Sequence, residues 1–254
     1  MGYDYTQNLT YDPLGGLGIL QNVMIDAHFS DKGRQGRLTR LLAHTSTQRA
    51  VGVDEDTALD CVYQEGDLQC QVIGSRGVWL LDTPFSCPET GGYWRCRGVV
   101  TSYLTHSDRV SISPASSWTT QFADWKTDIL EEPGLSPLTS TDIFNSVRQY
   151  EYQRVVDSLL KSSQRTGSGS SNETAPTSYQ AVFTKTDQTE AVRGVMGGGE
   201  KISYRRLLLD LTRSCLASGE ECYDGQNFIA PTCCSGMCRP SLDSAGVPAT
   251  SYCP

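Results

Sequence analysis

The sequence predicts an α/β fold: part of a doubly wound sheet with appended antiparallel β-hairpins and a small disulfide-rich C-terminal module. Three observations support this prediction. A short apolar run, a helical segment and a second short apolar run follow one another between residues 23 and 53. Strand-like runs then alternate with turn residues from 57 to 113, and six of the ten cysteines lie between 215 and 253. This arrangement is typical of an α/β domain followed by a small module.

The first unit of the predicted fold is a strand, a helix and a second strand. Val23-Met24-Ile25 predicts a buried strand, because the run is too short and too β-rich for a helix. Arg34 to Ala43 predicts a helix, whose inner face carries Leu38, Leu41 and Leu42. Ala50 to Val53 predicts a second short strand. Strands separated by a helix are the building unit of a doubly wound sheet.

The remainder of the domain is predicted to be mostly antiparallel. Residues 57–113 predict hairpins, and Tyr179–Phe183 and Ile202–Leu211 predict closing strands. A helix is expected to begin at Ser140-Thr141-Asp142, with apolar residues at helical spacing, namely Ile143, Val147, Val155, Val156 and Leu159. Residues 162–178 are rich in serine, threonine and glycine and predict a surface loop.

Chemically active side chains gather where the two early strands end. Asp26 and His28 are predicted on one face, because strand side chains alternate with period two. The second strand ends in Asp54-Glu55-Asp56. A calcium site is one interpretation of this cluster, but three adjacent acids do not all converge, so we expect one functional acid with two solvated neighbours. His44 and His106 have no charged residue at a spacing that would indicate a functional pair, and both are expected at the surface.

Three motifs here resemble the cyanophycinase and peptidase E-like family of serine hydrolases. Asp26-Ala27-His28-Phe29 is similar to the family's D-x-H-F motif, residues 34–38 to its R-x-x-R-L turn, and residues 54–58 to its D-E-[ND]-T-A segment. The three follow one another in the family's order. The resemblance is specific over residues 14–81 and loose from there to about residue 213.

The resemblance implies a role for each matching residue. His28 would be the general base and Glu55 the acid that orients it. Arg34 and Arg37 would line the pocket and favour acidic groups in a peptide substrate, with Asp26 beside the base. The family's fold is a class I glutamine amidotransferase-like sheet. Neither a cofactor nor a metal ion is implied.

The family's nucleophile lies on a G-x-S-A-G-type turn before the D-x-H-F motif, and no such segment precedes Asp26 here. We therefore expect residues 1–213 to be a cyanophycinase-like domain without its N-terminal, nucleophile-bearing half. Ser168 and Ser170 lack the strand and helix of a nucleophile turn. Ser30 is too close to His28 along the strand to supply attack geometry. A base without a hydroxyl to deprotonate is an incomplete catalytic apparatus.

Composition favours an extracellular protein. Ten cysteines point to an oxidising compartment, and two sequons, at Asn8 and Asn172, agree with glycosylation. The N-terminus does not have the pattern of a signal peptide, so we expect this chain to be the C-terminal part of a longer precursor. The net charge of −8 and the lack of a basic stripe argue against nucleic-acid binding, and no apolar run is long enough to span a membrane.

Four cysteines predict two disulfides within hairpins. Cys61 and Cys70 are symmetric about Glu65-Gly66, and a two-residue turn there places them opposite each other at a non-hydrogen-bonded pair. Cys87 and Cys96 repeat the arrangement around a pair of glycines. A zinc site is the alternative interpretation, but the long spacings lack the short clamp of zinc ligands.

The last six cysteines predict a separate module at residues 214–254. Their spacing is C-x6-C-x10-C-C-x3-C-x14-C, which by itself allows fifteen pairings. The adjacent pair and the short loop after it resemble an inhibitor cystine knot. That resemblance implies the pairs Cys215–Cys234, Cys222–Cys238 and Cys233–Cys253. Such a module is either a binding appendage or a stable cap.

Two functions follow as hypotheses. In the first, the protein is a secreted cyanophycinase-like serine peptidase whose serine comes from another segment. In the second, it is an inactive extracellular structural subunit that assembles into an oligomer or filament, with the cystine knot as its docking module. Both imply a partner, which is the N-terminal half of the same precursor or further copies of this chain. A binder that acts through the knot alone would leave His28 and Glu55 unexplained.

Overall fold

The computed structural model describes residues 22–83, 93–113, 118–129, 131–148, 150–172 and 178–213. It also describes positions 11, 15, 16, 18, 20, 87, 89 and 90 and short strands between 221 and 252. Cys215, Cys234, Cys238, Cys253 and Asn8 lie outside the described residues, as do the side chains of Cys222 and Cys233. The cystine-knot pairings therefore stay predictions, and so does the boundary at residue 214. Within the described residues, neither helix is long and apolar enough to cross a bilayer.

The main elements of the described residues are two helices and fifteen strands. The helices are α1 (Gln35–Thr45) and α2 (Glu151–Lys161). The strands are β1 (Val23–Ala27), β2 (Arg49–Val53), β3 (Thr57–Gln64), β4 (Asp67–Gly74), β5 (Gly77–Asp82), β6 (Glu89–Thr90), β7 (Tyr93–Trp94), β8 (Cys96–Thr105), β9 (Arg109–Ile112), β10 (Thr119–Gln121), β11 (Thr127–Asp128), β12 (Thr166–Ser170), β13 (Tyr179–Thr184), β14 (Glu190–Met196) and β15 (Gly199–Arg213). Six two- or three-residue strands, β16 to β21, follow: Glu221–Tyr223, Thr232–Cys233, Gly236–Met237, Ser241–Leu242, Pro248–Ala249 and Ser251–Tyr252.

A nine-stranded mixed sheet forms the centre of the domain. Its order is β1-β2-β5-β8-β15-β13-β12, with β14 beside β15 and β11 beside β14. β1 and β2 are parallel and joined by α1, whereas the other named strand pairs in the described part of the chain are antiparallel. A second sheet, β10-β9-β4-β3, is antiparallel throughout. The molecule is thus a sheet-rich mixed α/β fold, in agreement with the coarse prediction.

The early strand–helix–strand unit forms as predicted, with one correction. Leu38 and Leu42 of α1 are buried. β1, however, is not a buried strand, because Ile25 is 55% exposed. The reason is position: β1 is the terminal strand of the sheet order, so nothing among the described strands lies beyond it.

The core lies on both faces of β5. Trp79 and Leu81 belong to one apolar cluster, and Val78 and Leu80 belong to a second one. Strand side chains alternate between faces, so a strand buried along its whole length must be covered on both sides. The first cluster is closed by α2 and the second by the smaller sheet. β5 is next to β2 and therefore anchors the strand that ends at the acidic cluster.

The predicted helix at Ser140 is wrong in its start. α2 begins at Glu151, and Val147 is 88% exposed. The Asn145 side chain explains the delay, because its Oδ1 accepts hydrogen bonds from the backbone N–H groups of Val147 and Arg148. Asparagine that binds its own following backbone competes with helix formation. Of the apolar residues at helical spacing, only Val155, Val156 and Leu159 therefore lie in the helix.

The predicted surface loop at 162–178 is also partly wrong. Residues 166–170 form β12, which pairs with β13 in the large sheet. Its glycines allow close packing, since a Cβ at Gly169 would lie 2.7 Å from a methyl carbon of Ile143. Asn172 follows this strand and is exposed, so its glycosylation stays a prediction that its position permits.

Both disulfides predicted within hairpins are present. Cys61 is bonded to Cys70 across β3 and β4, where the two residues are direct partners in the register. Cys87 is bonded to Cys96 beside the β6–β7 hairpin. The described residues contain no free cysteine. The symmetry of the cysteines about their turns was therefore sufficient to predict both disulfides.

Asp157 on α2 gives a pH-dependence prediction. Burial raises the pKa of this carboxyl to about 7, although part of the side chain still reaches solvent. A folded-state pKa above the usual 3.8 means that the fold favours the protonated form, so ionisation costs stability as the pH rises between these values. We expect Asp157→Asn to raise the free energy of unfolding at pH 8 by about 1–2 kcal/mol and to have progressively less effect toward pH 4. Urea unfolding across this range tests it, with the exposed Asp60→Asn as control; a gain that is independent of pH would contradict it.

Candidate active site

His28 lies immediately after β1 in a strained turn. Its φ of 51° is in the left-handed region, which is uncommon for a residue with a side chain. The turn is held by backbone hydrogen bonds from Phe29 N–H to the Val53 carbonyl and from Arg34 N–H to the Phe29 carbonyl. The first of these ties the end of β1 to the end of β2. The backbone that carries His28 is therefore held in position by the sheet.

Glycines make this turn possible. Gly33 has a φ of 58°, and a Cβ there would lie 2.2 Å from the carbonyl oxygen of Phe144. A Cβ at Gly52 on β2 would lie 2.4 Å from the Phe29 ring. Phe29 is fully buried and packs over β2 at this position. The two glycines thus let the His28 turn pack against the rest of the domain.

Glu55 follows β2 and meets His28 directly. The Glu55 Oε1 atom is 2.7 Å from His28 Nδ1. This hydrogen bond is the largest cause that lowers the pKa of Glu55, so the carboxylate is held ionised. The His28 side chain is 60% exposed and that of Glu55 is 38% exposed. A charged hydrogen bond between two side chains this exposed adds little stability to the fold.

Asp26, expected beside the base, is bound by two arginines. Its two carboxylate oxygens are bound by the guanidinium groups of Arg34, at 2.7 Å, and Arg37, at 2.9 Å. Arg34 also donates to the Ala27 carbonyl oxygen at 2.7 Å. The acid therefore positions two arginines beside the His28 turn. Arg37 is 41% exposed and keeps donors for another group.

Asp54 is buried, not a solvated neighbour of Glu55 as expected from the sequence. Its Oδ1 accepts the Ser30 N–H at 2.9 Å, and its Oδ2 accepts the Tyr103 hydroxyl at 2.7 Å. Burial is the main cause that raises the pKa of this carboxyl. The Ser30 hydroxyl accepts from Trp79 Nε1 at 2.6 Å and so faces inward, away from any role as nucleophile. Asp54 therefore holds the His28 turn onto the core.

Asp31 is a member of the site that sequence reasoning missed. Its side chain is fully buried, and neither carboxylate oxygen has a hydrogen-bond partner among the described residues. Its Oδ2 lies 4.0 Å from His28 Nδ1 and 3.8 Å from Lys32 Nζ. Burial, followed by the charge of Glu55, raises the pKa of Asp31. No sequence signal identifies it, because an acid beside a lysine in a turn is usually solvated.

The other two described histidines lie elsewhere. His106 accepts the Gly74 N–H through its Nδ1 atom, which is a turn contact. His44 makes an edge contact with Tyr11, with ring centroids 5.6 Å apart. Ser168 and Ser170 are in β12, at the opposite end of the sheet order from β1. The structure thus brings together His28, Glu55 and Asp31, with the Asp26 and arginine group beside them.

Part of the chain is similar to cyanophycinases. It is 37% identical over 71 residues to the cyanophycinase of Trichormus variabilis (strain ATCC 29413 / PCC 7937), which covers 28% of this chain and 23% of that protein. It is 36% identical over 67 residues to that of Geminocystis herdmanii (strain PCC 6308), which covers 26% of this chain and 24% of that protein. It is 37% identical over 67 residues to that of Synechococcus elongatus, which covers 26% of this chain and 20% of that protein.

These similarities are local. No family model matches the chain, and no solved structure matches it significantly. The chain spans about a quarter or less of the length of these curated relatives, from 20% to 24%. The comparisons therefore support one statement, that this chain contains a cyanophycinase-like, hydrolase-type portion.

Proposed function

We propose that this chain supplies the base and the acid of a cyanophycinase-like serine peptidase site. The observation that carries the proposal is the 2.7 Å contact between His28 Nδ1 and Glu55 Oε1 at the ends of two adjacent parallel strands. A neutral imidazole that donates from Nδ1 to a carboxylate has its Nε2 lone pair free. This is the tautomer that a general base requires.

The proposed reaction uses a serine outside the described residues, on a preceding part of a precursor or on another chain. The serine Oγ attacks an amide carbonyl carbon, and its proton passes to His28 Nε2. Glu55 stabilises the imidazolium. The proton then goes to the leaving amine as the C–N bond breaks, and a water molecule hydrolyses the resulting ester by the same route. The doubly wound, amidotransferase-like sheet belongs to this proposal, with β1–α1–β2 as part of it.

The substrate is proposed to be a peptide with acidic groups. Arg34 and Arg37 both lie beside the His28 turn because Asp26 binds them there. One carboxylate does not use all the donors of two guanidinium groups, and guanidinium is well matched to a second carboxylate. An acidic side chain of the substrate would therefore bind at Arg37, the more exposed of the two.

A second function has its own supporting observation. β1 ends the sheet order, and its Ile25 is 55% exposed. Strands of parallel pairs are usually covered on both sides, so this edge suits a strand from another segment. An inactive extracellular subunit that assembles through β1 into an oligomer or filament would use the same edge. The two disulfides suit the secretion and glycosylation assumed in both proposals.

Labelling with a fluorophosphonate serine probe separates the two functions. The protein is isolated in its native assembly without reductant and treated with a biotinylated probe, and modified peptides are located by mass spectrometry. The peptidase proposal expects one labelled serine on a polypeptide that is part of the assembly. Absence of labelling on every chain of the assembly would reject the peptidase and favour the structural subunit.

A further inference from the structure

The buried Asp31 carboxylate faces the His28–Glu55 pair. Its side chain is 0% exposed, and within the described part of the chain both oxygens lack a hydrogen-bond partner. A carboxylate removed from water in this way is costly unless a cation or a proton compensates it. The nearest basic nitrogens, His28 Nδ1 at 4.0 Å and Lys32 Nζ at 3.8 Å, are both beyond hydrogen-bond distance.

The three side chains have the spacing of ligands around one ion. Each of His28, Asp31 and Glu55 offers one ligand atom, and these three atoms lie within 4.8 Å of one another. Ligand atoms around a tetrahedral zinc ion are roughly 3.4 Å apart, since each bond is about 2.1 Å long. The Nδ1–Oε1 distance of 2.7 Å and the Nδ1–Oδ2 distance of 4.0 Å lie on either side of that value. Small rotations of the two exposed side chains would equalise them.

We propose that His28, Asp31 and Glu55 form a binding site for a divalent transition-metal ion such as Zn²⁺, with solvent completing the coordination. One imidazole nitrogen favours Zn²⁺ over Ca²⁺ and Mg²⁺, which prefer oxygen ligands alone. His28 and Glu55 are open to solvent, so an ion can enter. The sequence alone did not indicate this site, because the burial of Asp31 is not visible in it.

Metal binding would oppose the proposed catalysis. An ion bound to the Nδ1 lone pair leaves the neutral imidazole with its proton on Nε2, so His28 can neither donate to Glu55 nor accept the serine proton. The bound ion would therefore act as a reversible inhibitor. This consequence rests on the proposed function, whereas the binding itself does not. Zinc availability would then decide whether the site is active.

Calorimetric titration of the tag-free, disulfide-intact chain with ZnCl₂ tests the site, supported by the visible absorption of Co²⁺. We expect Glu55→Gln and Asp31→Asn each to weaken Zn²⁺ binding by about tenfold or more, whereas the exposed Glu65→Gln leaves it unchanged. Lys32→Gln should strengthen binding severalfold, because it removes a positive charge 3.8 Å from Asp31. Glu55 is partly exposed, so Glu55→Gln tests the site even if the buried Asp31→Asn does not fold.

Two results would overturn the proposal: absence of saturable Zn²⁺ binding by the folded chain, or equal affinity for wild type and Glu55→Gln. Serine-probe labelling with and without Zn²⁺ separates this proposal from the catalytic one. Zinc binding that Glu55→Gln weakens, in a protein that no serine probe labels, would support the metal site and reject the peptidase. Protection from labelling by Zn²⁺, relieved by a chelator, would support both.

Discussion

Replacing His28 by asparagine is expected to lower the rate of fluorophosphonate labelling of the native assembly by about 10⁴-fold or more, as removal of a general base does in serine hydrolases. Without the imidazole, the attacking hydroxyl keeps its proton. Asparagine is preferred to alanine, because the backbone at position 28 has a φ of 51° and asparagine tolerates this region. The side chain is 60% exposed, so the fold should survive the change.

Glu55 provides the second half of this test. Glu55→Gln should lower the labelling rate by about 10²–10⁴-fold, since the amide no longer stabilises an imidazolium. Combining it with His28→Asn should add little, because residues that act as a unit are not additive. His44→Asn is the matched control, since this imidazole contacts Tyr11 instead. Undiminished labelling of His28→Asn would refute the assignment of His28 as the base.

Asp54→Ala is expected to lower the free energy of unfolding by about 3 kcal/mol. The change leaves the buried Ser30 N–H and the Tyr103 hydroxyl without their acceptor. Burial raises the pKa of Asp54, so part of its own desolvation cost is recovered when it is removed. The lost partners still outweigh this gain, since an unpaired buried donor costs about 1–3 kcal/mol each.

Urea unfolding followed by tryptophan fluorescence measures this effect, because Trp79 donates to Ser30 in the same network. Asp60→Ala is the control, since Asp60 is exposed on β3. We expect a change within about 0.5 kcal/mol for the control. Equal stabilities of the two variants would mean that Asp54 does not anchor the turn.

The early part of the fold was predictable because its signals are local. Leu38 and Leu42 lie one turn apart on α1, and the cysteines of the β3–β4 hairpin are symmetric about their turn. The start of α2 was not predictable, because the Asn145 side chain binds backbone N–H groups that a helix would have used. Likewise, β12 has a loop-like composition and forms a strand only because β13 pairs with it.

The contact between His28 and Glu55 was predictable because two parallel strands must bring their ends together. Asp54 was misjudged, since its partners, Ser30 and Tyr103, are both far from it in sequence. Asp31 was missed for a similar reason: its burial depends on packing of the turn and not on any pattern in the chain. Long-range polar contacts of this kind do not produce a periodic pattern in the sequence.

The tautomer of His28 tests the central claim most directly, and ¹⁵N NMR of histidine-labelled protein measures it. A base oriented by Glu55 must carry its neutral-state proton on Nδ1, where the distance to the carboxylate is 2.7 Å. We therefore expect a protonated Nδ1 and an unprotonated Nε2 for His28, and Glu55→Gln should lower the Nδ1–H population. A neutral His28 with its proton on Nε2 in the wild type would contradict the account, because that nitrogen could not accept a proton from serine.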